Sequence, residues 1–349
     1  MVLKNDDEIN INDWVSFLQK NSNANTFQTL EYYLSQKNNT KQHPFLFGVY
    51  DKNNLVGIVS GFVIRNGIGI ISKLTSRAII IGGPLLASDI NNKDTILDFL
   101  LKGIKINFKN KVVYIEFRNI WDMSNYRHIF INNGFEYEDH LDILINLKKS
   151  EQELWNAMTR DRKKSIKKGQ KELEIKLISE NNEYQIDSVY SLLRLVYKRI
   201  GLPLPHKDFF LNVIKSLYPK GYIKIFGAYK DSVLIGVRLV FCYNGLIYDW
   251  YAGANDDFLE YRPNDILIWS ILKWGHDNGY KQFDFGGAGK PNVPYGVRDY
   301  KLKFGGILVN YGRFEYVNKP VIMFLGKTLI KLKDGVLKLS KGYKKKFCR

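Results

Sequence analysis

Residues 47–57 read FGVYDKNNLVG and residues 226–236 read FGAYKDSVLIG, so the two segments align without a gap at a constant offset of 179 positions. In each segment β-forming residues flank a short connection of Asp, Asn or Ser, a pattern that is typical of a β-hairpin. A segment that recurs at such a distance indicates an internal duplication. The chain of 349 residues is long enough for two domains that each bury a core.

The order of elements after each hairpin supports the duplication. In the first half the sequence predicts a strand at 77–85, a helix at 95–107, a strand at 111–117, a helix at 125–132 and a strand at 141–147. In the second half it predicts the same order at 246–252, 265–277, 281–285, 297–304 and 307–317. This pattern predicts an α/β (α+β) fold in which each domain is a mixed sheet flanked by helices.

The boundary between the halves is predicted from a helix start. Ser150 and Glu153 have the spacing of a capping box, in which each side chain bonds the other residue's backbone N–H. We therefore place the first domain at 1–149 and the second at 150–318. Residues 319–349 form a basic amphipathic segment that either packs on the first domain or lies on anionic lipid.

Composition restricts the class of protein. The formal charge of +17 favours a polyanionic partner, either nucleic acid, an anionic membrane surface or a phosphorylated substrate, although solubility alone also accounts for it. Two cysteines and five histidines without ligand spacing predict no metal site. The absence of a long apolar run predicts a cytoplasmic protein.

The most informative stretch for chemistry lies in the second half. Residues 281–289 read KQFDFGGAG and residues 298–306 read RDYKLKFGG. A buried strand here opens into glycines, which allow close backbone approach and expose N–H groups to an anionic or acyl ligand. A tight connection between a strand and a helix has the same appearance.

Read together, these segments resemble the second half of the Fem family, whose members add amino acids to peptidoglycan precursors, and of their GNAT relatives. The resemblance extends along the chain through four further groups of residues: Phe27-Gln28-Thr29, Ile81-Gly82-Gly83-Pro84-Leu85, Asn133-Gly134-Phe135-Glu136, and Trp155 with Arg162 and Ile166. It implies two tandem GNAT-like domains. No long helical hairpin interrupts the second half, as in the compact members of the family.

The resemblance also implies the reaction and its residues. An aminoacyl group passes from aminoacyl-tRNA to an amine of a nucleotide- or lipid-linked peptidoglycan precursor, with no further cofactor. The family's aromatic-lysine pair falls on Tyr300 and Lys301, which we predict to be catalytic; relatives often have Phe before the Lys. We predict that the Lys301 ammonium stabilises the oxyanion of acyl transfer, and that Tyr300 orients substrate, carries a proton or packs.

Further candidates surround this pair. The predicted substrate-binding residues are Asp284, Gly286, Gly287, Arg298 and Tyr251. On the helix after residue 150, Arg160, Lys164 and Lys167 are predicted to bind an anion, with a solvated face as the alternative.

Two other functions remain open. One keeps the fold but uses an acyl-CoA donor to acylate a sugar or polysaccharide precursor; Pro263, before the third helix, removes a donor that a pyrophosphate cradle would use. The other is a non-catalytic protein that binds anionic membrane or nucleic acid. For the transferase, a peripheral contact at the inner face of the membrane through the C-terminal segment is the matching expectation.

Overall fold

The structure is a computed structural model that describes residues 1–37, 39, 41–179, 183–326 and 328. The elements of the first half are β1 (Val2–Asn5), α1 (Ile11–Lys20), α2 (Leu30–Lys37), β2 (Gln42–Asp51), β3 (Asn54–Ile64), α3 (Ile70–Leu74), β4 (Arg77–Ile81), β5 (Leu85–Leu86), α4 (Lys93–Phe108), β6 (Tyr114–Arg118), α5 (Arg127–Asn132), β7 (Glu136–Glu138) and β8 (Leu141–Asn146).

The elements of the second half are α6 (Glu151–Ala157), α7 (Arg160–Glu172), β9 (Glu174–Leu177), α8 (Glu183–Ile200), α9 (Lys207–Leu217), β10 (Ile223–Lys230), β11 (Val233–Tyr243), β12 (Leu246–Ala254), α10 (Pro263–Asp277), β13 (Gln282–Asp284), α11 (Gly296–Leu302), β14 (Ile307–Asn310) and β15 (Arg313–Val317). The fold is α/β with two mixed sheets flanked by helices, as the sequence predicts.

The two repeated hairpins occupy equivalent places. Phe47 of β2 pairs with Val59 of β3, and Phe226 of β10 pairs with Arg238 of β11, so the offset of the sequence repeat is also the offset of the pairing. Each hairpin also has a β-bulge at the same point, after Val49 in the first and after Ala228 in the second. The predicted duplication of the hairpin is confirmed, because the two hairpins share the same strand register and the same position of the β-bulge.

The halves exchange one strand each. The first sheet has the order β1-β2-β3-β4-β6-β15-β7, with β5 beside β3, and the second has the order β14-β8-β13-β12-β11-β10-β9. Thus β8 from the first half lies in the second sheet, and β15 from the second half lies in the first. The predicted boundary near residue 150 therefore does not separate the sheets. Because the exchange is reciprocal, it ties the two domains together through backbone hydrogen bonds.

The predicted strand at 307–317 is in fact two strands that belong to different sheets. Gly312 makes the turn between β14 and β15 with φ +65°, a conformation that favours glycine. A Cβ at this position would lie 2.3 Å from the Tyr137 ring. The left-handed backbone and the close ring explain why a glycine occupies the turn between the two sheets.

The helix predicted after residue 150 begins as expected and then breaks. Ser150 and Glu153 form the predicted capping box at the start of α6. A second helix, α7, begins at Arg160, because Thr159 at its N-cap has an extended conformation and donates its N–H to the Lys303 carbonyl. Leu154 and Met158 are buried in the core of the second domain.

The predicted basic segment at 319–349 lies outside the described residues from 329 onward, and so does Lys327. Its described part starts with a short helical turn at 320–326. Across the part of the chain that the structure describes, no helix is both long and apolar enough to cross a bilayer.

Candidate active site

Two neighbouring strands of the second sheet part at their carboxyl ends, and the gap between them is called the cleft. β12 and β13 run parallel and pair over only three residues, ending at Tyr248 and Asp284. Beyond that point β12 continues to Ala254, whereas the backbone that follows β13 turns through Gly286 to Gly289. The carboxyl ends of parallel strands, at the point where they part, are where α/β sheets bind ligands. The glycine-rich turn therefore forms one wall of the candidate site.

Lys301 is attached to that turn. Its ammonium, on α11, donates to three consecutive carbonyl oxygens, those of Phe285 at 2.8 Å, Gly286 at 3.0 Å and Gly287 at 2.9 Å. Burial lowers the pKa of Lys301, while the Asp249 carboxylate opposes that shift. The three carbonyls accept hydrogen bonds from an ammonium and so favour its charged form. The charge is fixed in position, but in this state all three of its protons are already bonded.

Asp284 lies behind the turn and not in the cleft. Its side chain is 0% exposed, and its Oδ1 accepts the Gly286 N–H at 2.7 Å. The buried carboxyl of Asp142, from the exchanged strand β8, lies beside it, and burial raises the pKa of both groups. Because burial raises both pKa values, we expect the two adjacent carboxyls to share one proton. The expectation that Asp284 binds substrate is corrected: it holds the turn.

The pairing of Asp284 with Asp142 predicts that two Asp284 variants differ in their free energy of unfolding. Asp284→Asn keeps an acceptor for the Gly286 N–H and donates to Asp142, so we expect the free energy of unfolding to change by less than about 1 kcal/mol. Asp284→Ala leaves that N–H without its acceptor and opens a cavity, at a cost of about 2–4 kcal/mol. Urea denaturation measures both, and equal loss in the two variants would contradict the shared-proton arrangement.

The pH dependence of the same variants gives a second readout. A carboxyl whose pKa is raised keeps a proton in the folded state that the unfolded chain has released. The stabilisation is therefore lost as the pH rises toward the pKa of the folded state. We therefore expect wild type to lose stability relative to Asp284→Asn as the pH rises from about 4, where the unfolded chain releases the proton, to the pKa of the folded state.

The remaining substrate-binding candidates fall into two groups. Gly287 is exposed at the cleft, and its N–H has no acceptor among the residues that the structure describes. Tyr251 lies on β12, beyond the residues that pair with β13, and is half-buried against Tyr197. Gly286 is buried, with φ +64°, and shapes the turn. Substrate contact by Gly287 and Tyr251 stays a prediction.

Arg298 braces the loop after the turn. Its guanidinium donates to the carbonyl oxygens of Lys290 at 2.8 Å and Val293 at 2.7 Å. Both contacts are within the loop from Gly289 to α11, and they occupy the side chain with backbone acceptors. These bonds hold the loop, and substrate contact by Arg298 stays a prediction.

Tyr300 belongs to a buried cluster at the start of α10. Its hydroxyl donates to Asp265 Oδ1 at 2.7 Å, and the same oxygen is paired with the Arg162 guanidinium. The Arg162 Cζ lies 4.3 Å from the centroid of the Tyr300 ring and 4.7 Å from that of Phe304. Burial, with the adjacent Asp265 charge, raises the pKa of Tyr300. These contacts favour packing and orientation over the proton-carrying role that the sequence left open.

We expect Tyr300→Phe to keep most of the activity, because the ring stays on Arg162 while only the hydroxyl is lost. Loss of one hydrogen bond to a charged acceptor is expected to cost about 1–3 kcal/mol of stability. Steady-state rates and urea denaturation check the two parts. A hundredfold fall in the rate would contradict this interpretation and return Tyr300 to acid-base chemistry.

A cavity of about 330 Å³ lies beside this cluster between α7 and the start of α10. Arg162, Arg262 and Tyr300 are among its lining residues. Arg160, Lys164 and Lys167 are exposed on α7, the helix that also provides Arg162. Their binding of an anion stays a prediction.

The sequence interpretation missed two sets of residues near the turn. Arg238 and Asp249 form a buried ion pair across β11 and β12, near Lys301. His140, whose pKa burial lowers to about 4, accepts from Arg313 at 2.9 Å. A Cβ at Gly287 would lie 2.7 Å from His140 Nε2, which explains the glycine. The arginine inside the apolar run 233–243 was the one available signal, since a buried charge requires a partner.

The chain is similar to known proteins in sequence and in fold. Residues 156–302 match the family model described as an acetyltransferase (GNAT) domain. A lipid II:glycine glycyltransferase of Staphylococcus haemolyticus is 23% identical over 265 residues, which are 73% of this chain and 60% of that protein. A protein of the same name from Staphylococcus aureus is 27% identical over 119 residues, 32% of this chain and 28% of the relative. The chain thus spans less than two thirds of these relatives.

Two solved structures have the same fold. The crystal structure of FemX superposes with a TM-score of 0.72 at 14% identity and covers 93% of this chain and 99% of that one. A tandem GNAT protein from the clavulanic acid biosynthesis pathway superposes with a TM-score of 0.57 at 9% identity and covers 91% of this chain and 99% of that one.

Proposed function

We propose that this chain, a GNAT-like protein of the Fem type, transfers an aminoacyl group from aminoacyl-tRNA to an amine of a peptidoglycan precursor. The observation that carries the proposal is the Lys301 ammonium, held by three consecutive carbonyls at the cleft between β12 and β13. The names of the staphylococcal relatives support the acceptor class.

The reaction requires charge stabilisation more than a protein nucleophile. The acceptor amine attacks the carbonyl carbon of the aminoacyl ester, and a tetrahedral oxyanion forms. The bond from that carbon to the ribose oxygen then breaks, the new amide remains, the amine loses a proton and the ribose hydroxyl gains one. Fixed positive charge and oriented N–H groups near the oxyanion lower this barrier.

The glycine turn provides both features. Gly287 is exposed and its N–H has no acceptor in the described part of the chain, and the Lys301 ammonium bonds the carbonyl of the same residue. Because those three carbonyls hold it, the ammonium does not need to be reoriented when the oxyanion forms. In this proposal Lys301 fixes the turn and supplies the positive potential, while Gly287 donates the hydrogen bond.

The start of α10 favours aminoacyl-tRNA over acyl-CoA. An anionic pyrophosphate needs free N–H groups at a helix N-terminus. Here Pro263 has no N–H, the Asp265 N–H is bonded to the Arg262 carbonyl, and the Asp265 side chain adds a carboxylate to the first turn. A pyrophosphate has few donors at this place. The hypothesis that the same fold uses an acyl-CoA donor is therefore the weaker one.

An assay with defined acceptors tests the proposal. The full chain is incubated with a tRNA pool charged with labelled amino acids and with either a lipid-linked or a nucleotide-linked precursor. We expect label to enter the peptide amine, which mass spectrometry locates. A matched precursor whose amine is acetylated should take up no label. Equal labelling of the blocked and free acceptors, or none of either, would contradict the proposal.

A further inference from the structure

One edge of the first sheet gathers several loops. Gln42, Ile64, Arg77, Tyr114 and Val317 form a continuous row of paired residues across β2, β3, β4, β6 and β15. The chain leaves the sheet at this row in the loop 65–76, in the loop 109–113 and in the segment 318–326. These three segments are called the basal loops.

The first of the basal loops presents apolar side chains to solvent. Asn66 and Thr75 close its base, since the Thr75 hydroxyl accepts the Asn66 N–H at 3.0 Å and donates to the Asn66 carbonyl at 2.7 Å. Between them Ile68 is 91% exposed, Ile70 75% and Ile71 61%. Single exposed apolar residues are ordinary, but a contiguous group of this kind marks an interaction site.

The segment after β15 adds to the same surface. The Asn318 N–H donates to the Val113 carbonyl at 2.9 Å, and the Val113 N–H donates to the Ser76 carbonyl at 2.8 Å, so the three basal loops are joined at their bases. Val321 is 72% exposed and Phe324 is 70% exposed. Two groups of uncovered apolar side chains thus lie at one edge of the molecule.

The charge of the surface is of one sign. The row residues and the basal loops contain no Asp or Glu. Their basic residues are Arg65, Lys73, Arg77, Lys109, Lys111 and Lys319. Apolar side chains surrounded by lysine and arginine fit the surface of an anionic bilayer. There the apolar side chains contact the acyl chains, and the basic side chains contact the anionic head groups.

We propose that the basal loops dock on an anionic lipid bilayer, with Ile68, Ile70 and Ile71 inserted below the head groups. The positive charge of the surface favours an anionic lipid bilayer as the partner, because a protein partner would have to be both acidic and apolar over the same area. The surface is distinct from the segment after Lys327 and from the cleft at Lys301. It stands whether or not the chain transfers aminoacyl groups.

Vesicle sedimentation with the full chain tests this surface. Wild type should bind phosphatidylglycerol vesicles in 0.1 M salt and bind pure phosphatidylcholine weakly. Replacing Ile68, Ile70 and Ile71 together by Ser should reduce the partition coefficient about tenfold or more, because three apolar side chains no longer enter the bilayer. The thermal unfolding midpoint should not change, since these side chains are uncovered in the free protein.

The control replaces Ile131 and Leu195 by Ser, which are 51% and 61% exposed on other faces. Its binding should match wild type. Binding of the triple variant within twofold of wild type would overturn the proposal and assign any membrane contact to the last residues of the chain. A wild type that ignores both vesicles and self-associates through these isoleucines, as light scattering would show, would also overturn it.

Discussion

Replacing Lys301 by Met is expected to slow the chemical step of transfer by about 10²-fold or more, as loss of one oxyanion-stabilising group commonly does. The variant loses the positive charge behind the turn and the three hydrogen bonds that fix the Phe285, Gly286 and Gly287 carbonyls. Single-turnover rates with saturating donor and acceptor measure the effect on chemistry. The same variant should also lose about 1–3 kcal/mol of stability, because a charged hydrogen-bond donor is removed.

Lys303→Met is the matched control. Lys303 is exposed and lies two residues away on the same segment, so the variant removes equal charge without disturbing the turn. Its rate should stay within about threefold of wild type, because an exposed charge is screened by solvent. Equal slowing of both variants would mean that net charge matters and position does not. A folded Lys301→Met protein with the wild-type transfer rate would contradict the role of Lys301 in the chemical step.

Replacing Arg162 by Met is expected to lower the free energy of unfolding by about 3–5 kcal/mol, since the Asp265 carboxylate then stays buried without its cation. Arg162 is 8% exposed and Asp265 is 5% exposed. The change also removes the guanidinium from the Tyr300 and Phe304 rings. Urea denaturation monitored by circular dichroism gives the difference.

Two further variants separate the possible causes. Arg160→Met, two residues earlier and exposed, should change stability by less than about 0.5 kcal/mol. Adding Asp265→Asn to Arg162→Met should recover part of the loss, because the buried charge is gone and the Tyr300 hydroxyl keeps an acceptor. A smaller loss of unfolding free energy for Arg162→Met than for Arg160→Met would mean that the buried ion pair does not stabilise this domain.

Much of the fold was predictable because it is local. The hairpins at 47–57 and 226–236 are specified by alternation and turn residues within a few positions, and they therefore share register and bulge. The capping box at Ser150 is local in the same sense. By contrast, β8 and β15 were readable as strands but not as exchanged strands, because the choice of a partner sheet is a tertiary contact.

The candidate site shows the same limit. The motif that contains Lys301 placed it beside the glycine turn, which the structure confirms. What the motif could not give is the direction of the side chains. Asp284 ends a three-residue strand in which Phe283, on the opposite face, is also buried, and it meets Asp142, which is distant in sequence. Arg298 likewise turns back on its own loop.

The choice of donor tests the account most directly. The full chain is given one free-amine precursor and equimolar donors that carry different labels, a charged tRNA pool and acyl-CoA. We expect label from the tRNA pool to enter the precursor and label from acyl-CoA not to, and we expect Lys301→Met to reduce transfer from the tRNA pool by about 10²-fold. Transfer from acyl-CoA alone would contradict it.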